Sequence, residues 1–149
     1  GYTTTLAHLA AQHGHRELVQ WLCGEGGFAM TTGVMKQAAI SGNLELVRWL
    51  RGEGCDWNAL TCRFAAVAGR LGVLQWLRAN GCPWNAETCQ YAALCGRLET
   101  LRRARETGCD WNADACGAAA QLGNLEVLQW LRAHGCPWDH NTCFMAVDL

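Results

Sequence analysis

The sequence predicts an all-α fold, a solenoid of stacked antiparallel helix pairs, and three observations lead to this prediction. A phrase of 27 residues recurs, with tryptophan at the same place in each copy: Trp57, Trp84, Trp111 and Trp138. A glycine keeps the same step at Gly42, Gly69, Gly96 and Gly123. Each copy also contains two segments with helical periodicity. A fixed period of this length is typical of arrays in which each repeat packs only on its neighbours.

The third copy shows how one repeat forms two helices. Asn58 offers a side-chain oxygen to the free N–H groups that open a helix, and Gly69 ends that helix in a left-handed conformation. Small side chains at i, i+3 and i+4 share one face between these points: Cys62, Ala65 and Ala66. A second helix follows over residues 71–78, with a leucine stripe that Trp76 widens. Helices of about two to three turns are unstable alone, so stability must come from stacking.

The spacing predicts five helix pairs in a single domain over residues 1–149. We expect the pairs at about 4–24, 31–52, 58–79, 85–106 and 112–133, and a sixth first helix that opens at Asp139. The corresponding repeats are about 1–27, 28–54, 55–81, 82–108, 109–135 and 136–149. Neither end shows the polar cap that arrays usually need. We therefore expect a monomeric piece of a longer array.

Two motifs carry a resemblance to a known family. Residues 5–19 read TLAHLAAQHGHRELV, and residues 54–59 read GCDWNA. They are similar to T-P-L-H-L-A-A-x-x-G-H-x-E-(I/L)-V and G-A-D-V-N-A of the ankyrin-repeat family, and the resemblance covers essentially the whole chain. The family repeat is about six residues longer, and the missing residues are those of its β-hairpin finger. The resemblance therefore implies short turns in place of the fingers. Short-loop repeats of this kind are similar to repeats common in large DNA viruses and in some protists and algae.

Composition and charge argue against several function classes. The net charge is −1 with both signs scattered along the chain, whereas a nucleic-acid surface needs a basic stripe. No run of about 18 apolar residues is available to span a membrane, and no secretory leader opens the chain. No phosphate-binding loop, H-E-x-x-H motif or nucleophile beside a repeated base is present. We expect a non-enzymatic protein without cofactor, cytoplasmic or nucleocytoplasmic and not secreted.

The ten cysteines are the residues best suited to metal binding or redox chemistry. Eight belong to the repeat, in pairs seven residues apart: Cys55/Cys62, Cys82/Cys89, Cys109/Cys116 and Cys136/Cys143. Zinc needs four ligands, and each repeat supplies two cysteines without a repeated histidine, so we expect no metal site. We interpret the thiols as small apolar core residues. A disulfide within a repeat stays open as an alternative. The tryptophans likewise fit either packing between repeats or a ligand platform.

The copies differ from one another at the pair of residues after Ala-Ala, which the family resemblance places on the concave, partner-binding face. The first members of these pairs form a row with an apolar centre and polar ends: Gln12, Ile40, Val67, Leu94 and Gln121. This pattern is typical of a groove for a partner's helix or extended segment. The alternative is that the apolar members pack where the hairpin would have been.

Other candidate contact residues surround this row. Lys36, Arg63, Gln90 and Phe144 lie one turn earlier, and Leu60, Glu87 and Asp114 lie at the turn that opens the first helix. We therefore predict a non-catalytic protein–protein interaction scaffold that binds a protein partner. A substrate-recruiting adaptor of a viral or pathogen effector and a cysteine-rich metal or redox-responsive module are the two alternatives.

Overall fold

The computed structural model describes residues 2–139, and side chains are described for residues 6–139. Every regular element in this range is an α-helix, which confirms the predicted all-α class. In chain order the helices are α1 (Tyr2–Gln12), α2 (Arg16–Gly24), α3 (Thr32–Ser41), α4 (Leu44–Gly52), α5 (Ala59–Val67), α6 (Leu71–Ala79), α7 (Ala86–Leu94), α8 (Leu98–Glu106), α9 (Ala113–Gln121) and α10 (Leu125–Ala133). These are the five predicted pairs. The predicted sixth opening helix lies outside the described residues.

The chain forms two compact units, Gly1–Pro83 and Trp84–Leu149. In the first unit α1 packs against α3 and α3 against α5, while each second helix packs against the first helix of its own pair. The second helices α4 and α6 contact each other much less than α3 and α5 do. In the second unit α7 packs against α9 in the same way, and α8 and α10 pack against α7 and α9. The prediction of a single domain over residues 1–149 stays a prediction.

Small side chains allow the first helices to approach one another. The face shared by Cys62, Ala65 and Ala66 is fully buried, as predicted, and the same holds for Ala92 and Ala93 in the second unit. The second helices supply the larger core residues: Leu46, Leu50, Leu74 and Leu77 in the first unit, and Leu101 and Leu131 in the second. Burying a leucine contributes roughly 1.5–3 kcal/mol, so the stacked pairs supply the stability that single short helices lack.

Asparagine caps open the later first helices, as the sequence predicts. The side-chain oxygens of Asn58, Asn85 and Asn112 each accept the backbone N–H two residues ahead, at 3.1 Å. Asn58 also forms a capping box with Thr61, because its own N–H donates to the threonine hydroxyl. Gly69 follows α5 with a φ of 69°, which is the left-handed conformation expected there.

Polar side chains at the start of second helices tie neighbouring pairs together. Asn43 donates from Nδ2 to the carbonyl of Gly14 at 2.9 Å, one repeat earlier. Arg70 occupies the equivalent position and donates from Nε to the carbonyl of Ile40 at 2.9 Å. In the second unit Asn124 donates to the carbonyls of Ala93 and Leu94, at 3.2 and 3.1 Å. The exposed carbonyls at the ends of first helices are thus satisfied by the next pair.

Candidate functional site

The predicted partner-binding residues of the first unit lie at the ends of its first helices. Gln12 is the last residue of α1 and is exposed, whereas Ile40 and Val67, near the ends of α3 and α5, are half-buried. Because α1, α3 and α5 pack side by side, these equivalent positions form a row along one face. The alanine pairs just before Ile40 and Val67 are fully buried. The row therefore lies at the edge of the core, where solvent still reaches it.

Two of the predicted residues converge on an aromatic ring in this unit. The Lys36 ammonium lies 5.1 Å from the centre of the Phe64 ring, and the Arg63 guanidinium lies 5.2 Å from it. Lys36 and Arg63 hold the same place in successive repeats, so α3 and α5 present them next to each other. Leu60, in the first turn of α5, is 39% exposed. The first-helix face of this unit therefore combines two cations with apolar surface.

The predicted residues of the second unit give its first-helix face a different charge. Leu94 and Gln90 on α7 are half-buried, and Gln121 at the end of α9 is exposed. Glu87 and Asp114 lie exposed in the first turns of α7 and α9, where the helix N-terminus favours a negative charge. This face is polar and acidic. Phe144 lies outside the described residues.

The tryptophans form edge-to-face pairs at the second helices. Trp57 and Trp76 lie 6.0 Å apart with their planes at 72°, and Trp111 and Trp130 lie 5.6 Å apart at 79°. The first pair borders an open hollow of about 370 Å³, lined by Arg48, Arg51, Gly52, Trp57, Trp76 and Asn80. These rings are half-buried, so the pairs contribute to packing and also present some aromatic surface.

Sequence reasoning missed an arginine that recurs near the end of the second helices α4, α6, α8 and α10. Its guanidinium donates to the carbonyl of the cysteine four residues later, at 2.7–3.1 Å, in Arg51, Arg78, Arg105 and Arg132. Arg51 also stacks over Trp57, and Arg105 over Trp111, at 4.1 and 4.4 Å from the ring centres. The step of 27 between these arginines was the signal that could have revealed them.

The cysteine of each G-C-(D/P)-W motif is buried, and it forms a hydrogen bond to the preceding repeat. Its thiol donates to the carbonyl of the residue that caps the preceding first helix. The distances are 3.4 Å for Cys55 to Thr31, 3.6 Å for Cys82 to Asn58, 3.4 Å for Cys109 to Asn85, and 3.4 Å for Cys136 to Asn112. The cysteines of the first helices, Cys62, Cys89 and Cys116, are fully buried. This burial supports the interpretation of the repeat cysteines as core residues.

The structure corrects the pairing that the sequence spacing suggested. Thiols seven residues apart do not form the close pairs; the contacts join cysteines 20 residues apart in adjacent repeats. The Cys62 thiol donates to the carbonyl of Cys82 at 4.0 Å, and its proximity lowers the pKa of the Cys82 thiol. Two further thiol contacts repeat this arrangement, Cys89 with Cys109 and Cys116 with Cys136. The physical reason is that helix stacking brings the first helix of one repeat beneath the turn of the next.

Two features distinguish individual thiols. Burial raises the pKa of Cys55 to about 11, and burial together with the Cys116 thiol raises the pKa of Cys136 to about 12. Cys55 lies against the backbone of Met35, which stands where the three following repeats have their first-helix cysteine. Cys95 lies outside the repeat pattern and is exposed, while Cys143 lies outside the described residues.

The described residues contain neither a cluster of possible metal ligands nor a candidate membrane-spanning helix. Within residues 2–139, no three His, Cys, Asp or Glu side chains lie close enough together to hold a metal ion. In the same range, no helix has the length and apolar character needed to cross a bilayer.

Comparison with known proteins identifies one repeat directly. The family model described as Ankyrin repeat matches residues 4–29, which cover α2, nearly all of α1 and the turn that follows them. No curated protein matches the chain. Ankyrin repeats are generally protein–protein interaction modules, and their fold is typically non-catalytic.

Proposed function

Because the chain belongs to the ankyrin-repeat family by its first repeat, we propose that it is a non-catalytic scaffold whose first-helix faces bind a protein partner. One observation carries the proposal: residues that differ among the repeats lie at the edge of the core, where the fold leaves them accessible. Gln12, Ile40 and Val67 in the first unit, and Leu94 and Gln121 in the second, are half-buried or exposed.

The chemistry of the first unit favours a partner segment with apolar and acidic side chains. Ile40 and Val67 supply apolar surface, and Lys36 and Arg63 supply two adjacent cations. A carboxylate on the partner would meet both cations, while an aliphatic side chain would lie on the apolar edge. Charge complementarity of this kind determines specificity and association rate more than affinity.

The first-helix face of the second unit favours a partner segment of the opposite charge, that is, a basic one. Glu87 and Asp114 are exposed at the starts of two neighbouring first helices, with Leu94 and Gln90 on α7. A partner segment that contacts this face would gain from lysine or arginine. The two units thus differ in the charge that each recruits, although both use the same positions of the repeat.

A pair of matched double variants tests the proposal in the first unit. Ile40→Asp with Val67→Asp adds two charges to the first-helix face. Gly72→Asp with Gln75→Asp adds the same charge to the exposed side of α6, where a Cβ at Gly72 meets nothing within 4 Å. Peptides are selected on the unchanged protein from a displayed random library and measured against both variants.

We expect the selected peptides to lose at least about tenfold in affinity for the Ile40/Val67 variant, equivalent to 1.4 kcal/mol, and to keep their affinity for the Gly72/Gln75 variant. Helical circular dichroism should be unchanged in both. Equal loss in the two variants, or hydrogen-exchange protection confined to second helices, would contradict the proposed face. Unfolding of the Ile40/Val67 variant alone would show that these residues belong to the core.

We also propose that the protein acts in the cytoplasm or nucleocytoplasm. The support is chemical: the repeat cysteines of the described range are buried core residues, and cytosolic reductants keep thiols reduced. Fractionation of source cells, with antibody detection of the chain, tests this; recovery from the extracellular medium would refute it.

A further inference from the structure

The arrangement of thiols across repeat boundaries suggests a chemistry that the partner-binding proposal does not use. Each contact consists of one cysteine from a first helix and one from the turn that opens the next repeat. Both members are buried, and in Cys62–Cys82 and Cys89–Cys109 the first-helix thiol lies 4.0 Å from the carbonyl oxygen of its partner cysteine. The arrangement occurs within each unit by itself, once in the first and twice in the second. Burial and then the Cys116 thiol raise the pKa of Cys136, which places the third pair in the same arrangement. A disulfide between neighbouring repeats would need each thiol to turn from the partner's carbonyl toward its sulfur.

We propose that Cys62–Cys82, Cys89–Cys109 and Cys116–Cys136 are redox-responsive thiol pairs, each of which a low-molecular-weight disulfide converts into a disulfide between neighbouring repeats. The thiolate of one cysteine attacks the external disulfide, forms a mixed disulfide and releases one small thiolate. The second cysteine then attacks the mixed disulfide, forms the protein S–S bond and releases the other small thiolate. The two protons lost by the cysteines go to the two released thiolates, so the protein is oxidised and the small disulfide is reduced.

Burial sets the rate and the trigger of this reaction. The six thiols are at most 1% exposed, so attack requires a local opening of the turn around the second cysteine. Burial also raises the pKa of Cys116 and Cys136, which keeps them protonated and slow near neutral pH. In the first unit the Cys62 thiol instead lowers the pKa of Cys82. Because all three pairs are buried, they respond to sustained oxidation rather than to brief exposure, and Cys116–Cys136 should be slower than Cys62–Cys82.

Oxidation would act on the stack itself. The new bond would add a covalent link between the first helix of one repeat and the opening turn of the next, which are non-covalently packed in the reduced state. Each bond would close a loop of about 20 residues and stabilise the folded state through loss of unfolded-state entropy. The pair contacts would then no longer separate during local opening.

The chain contains its own matched control. Cys55 occupies the same position as Cys82, is 2% exposed, and bonds to the preceding repeat in the same way. Met35 replaces its first-helix partner. Cys55 should therefore resist oxidation although its burial equals that of its equivalents. Met35→Cys supplies the missing thiol and should make Cys55 oxidisable.

The experiment uses the full chain with Cys23, Cys95 and Cys143 replaced by serine, so that the unpaired thiols cannot form other bonds. The protein is incubated with oxidised glutathione, remaining thiols are alkylated, and tryptic peptides are analysed by mass spectrometry. The proposed bonds join peptide 52–63 to 79–97, 79–97 to 106–132, and 106–132 to 133–149. A bond between cysteines seven apart instead stays within one peptide.

We expect the three inter-repeat bonds, an alkylated Cys55, and a rise in melting temperature of about 5–10 °C for each bond, which dithiothreitol reverses. Cys62→Ser should free Cys82 and leave the other two bonds intact. Bonds within single peptides, full alkylation of all six thiols after prolonged oxidation, or oxidation of Cys55 without Met35→Cys would each overturn the proposal. None of these outcomes depends on partner binding, so the two proposals fail separately.

Discussion

Asn43 performs two tasks at once, and replacing it tests how repeats are held together. Its Oδ1 accepts the N–H of Leu46 at 3.0 Å and caps α4, while its Nδ2 donates to the carbonyl of Gly14 at 2.9 Å. Losing a cap costs about 1 kcal/mol, and losing a hydrogen bond costs about 1 kcal/mol more. Asn43→Ala should therefore lower the free energy of unfolding by about 2 kcal/mol.

Asn43→Asp separates the two contributions. The carboxylate keeps the cap and suits the helix N-terminus, but it cannot donate to the carbonyl of Gly14. We expect a loss of about 1 kcal/mol, half of the alanine effect. Asn80→Ala serves as the control, because its hydrogen bond to the carbonyl of Trp76 is exposed and lies within one repeat; this change should cost less than about 0.5 kcal/mol.

Urea unfolding followed by circular dichroism measures these differences, and hydrogen exchange locates them. In Asn43→Ala, amides of α1 and α2 should exchange faster than those of α5 and α6, because the tie to the first pair is lost. Equal losses for the alanine and aspartate variants would refute the assigned role of the Gly14 bond. A loss no larger than that of Asn80→Ala would refute both roles.

Three further predictions follow from other features of the first unit. Raising the pH from about 8 to 11 should lower the free energy of unfolding: the pKa of Cys55 is about 11 when folded, against a reference of 9.0, so the folded state holds a proton that the unfolded chain releases. The contribution of Cys55 to this loss is up to about 1.4 kcal/mol per pH unit. Urea unfolding midpoints measured across this pH range should show that the contribution is absent in Cys55→Ala. Leu74→Ala should cost about 2–5 kcal/mol by the same assay, because Leu74 is 2% exposed and a cavity remains; a loss below 1 kcal/mol would contradict its assignment to the core. Gly42→Ala and Gly54→Ala should each cost about 1–2 kcal/mol, because both glycines have a positive φ. Thermal melts should show the larger loss for Gly42→Ala, since the new Cβ would lie 2.7 Å from the Arg70 side chain, whereas a Cβ at Gly54 would meet open space.

The helices could be predicted from the sequence because their signals are local. The caps at Asn58, Asn85 and Asn112, the glycine after α5 and the small face of α5 all act within one repeat, and each was confirmed. Repetition strengthened the prediction, since an error in one copy would have been visible against the others.

The thiol contacts could not be predicted, because they depend on how one repeat rotates and steps onto the next. Sequence spacing made Cys55 and Cys62 appear to be partners, yet one lies in a turn and the other on a helix that faces the following repeat. The arginines were overlooked for a different reason: their regular step was visible, but only the fold shows the side chain of Arg51 turning back to the carbonyl of Cys55. Which partner the first-helix face binds depends on a molecule outside the chain.

Each Gly-Cys turn within residues 2–139 donates a thiol hydrogen bond to the residue that caps the first helix of the preceding repeat. Cys55 bonds to Thr31 in this way, and Cys136 bonds to Asn112. Because the phrase repeats, a coding segment of one full period can be added or removed wherever it begins, and each remaining thiol still lies 24 residues after an acceptor. Duplication or deletion of such a segment by recombination leaves every remaining donor with an acceptor. The gene can therefore lengthen or shorten without new compensating mutations, and each added copy brings a fresh set of variable residues for selection to act on.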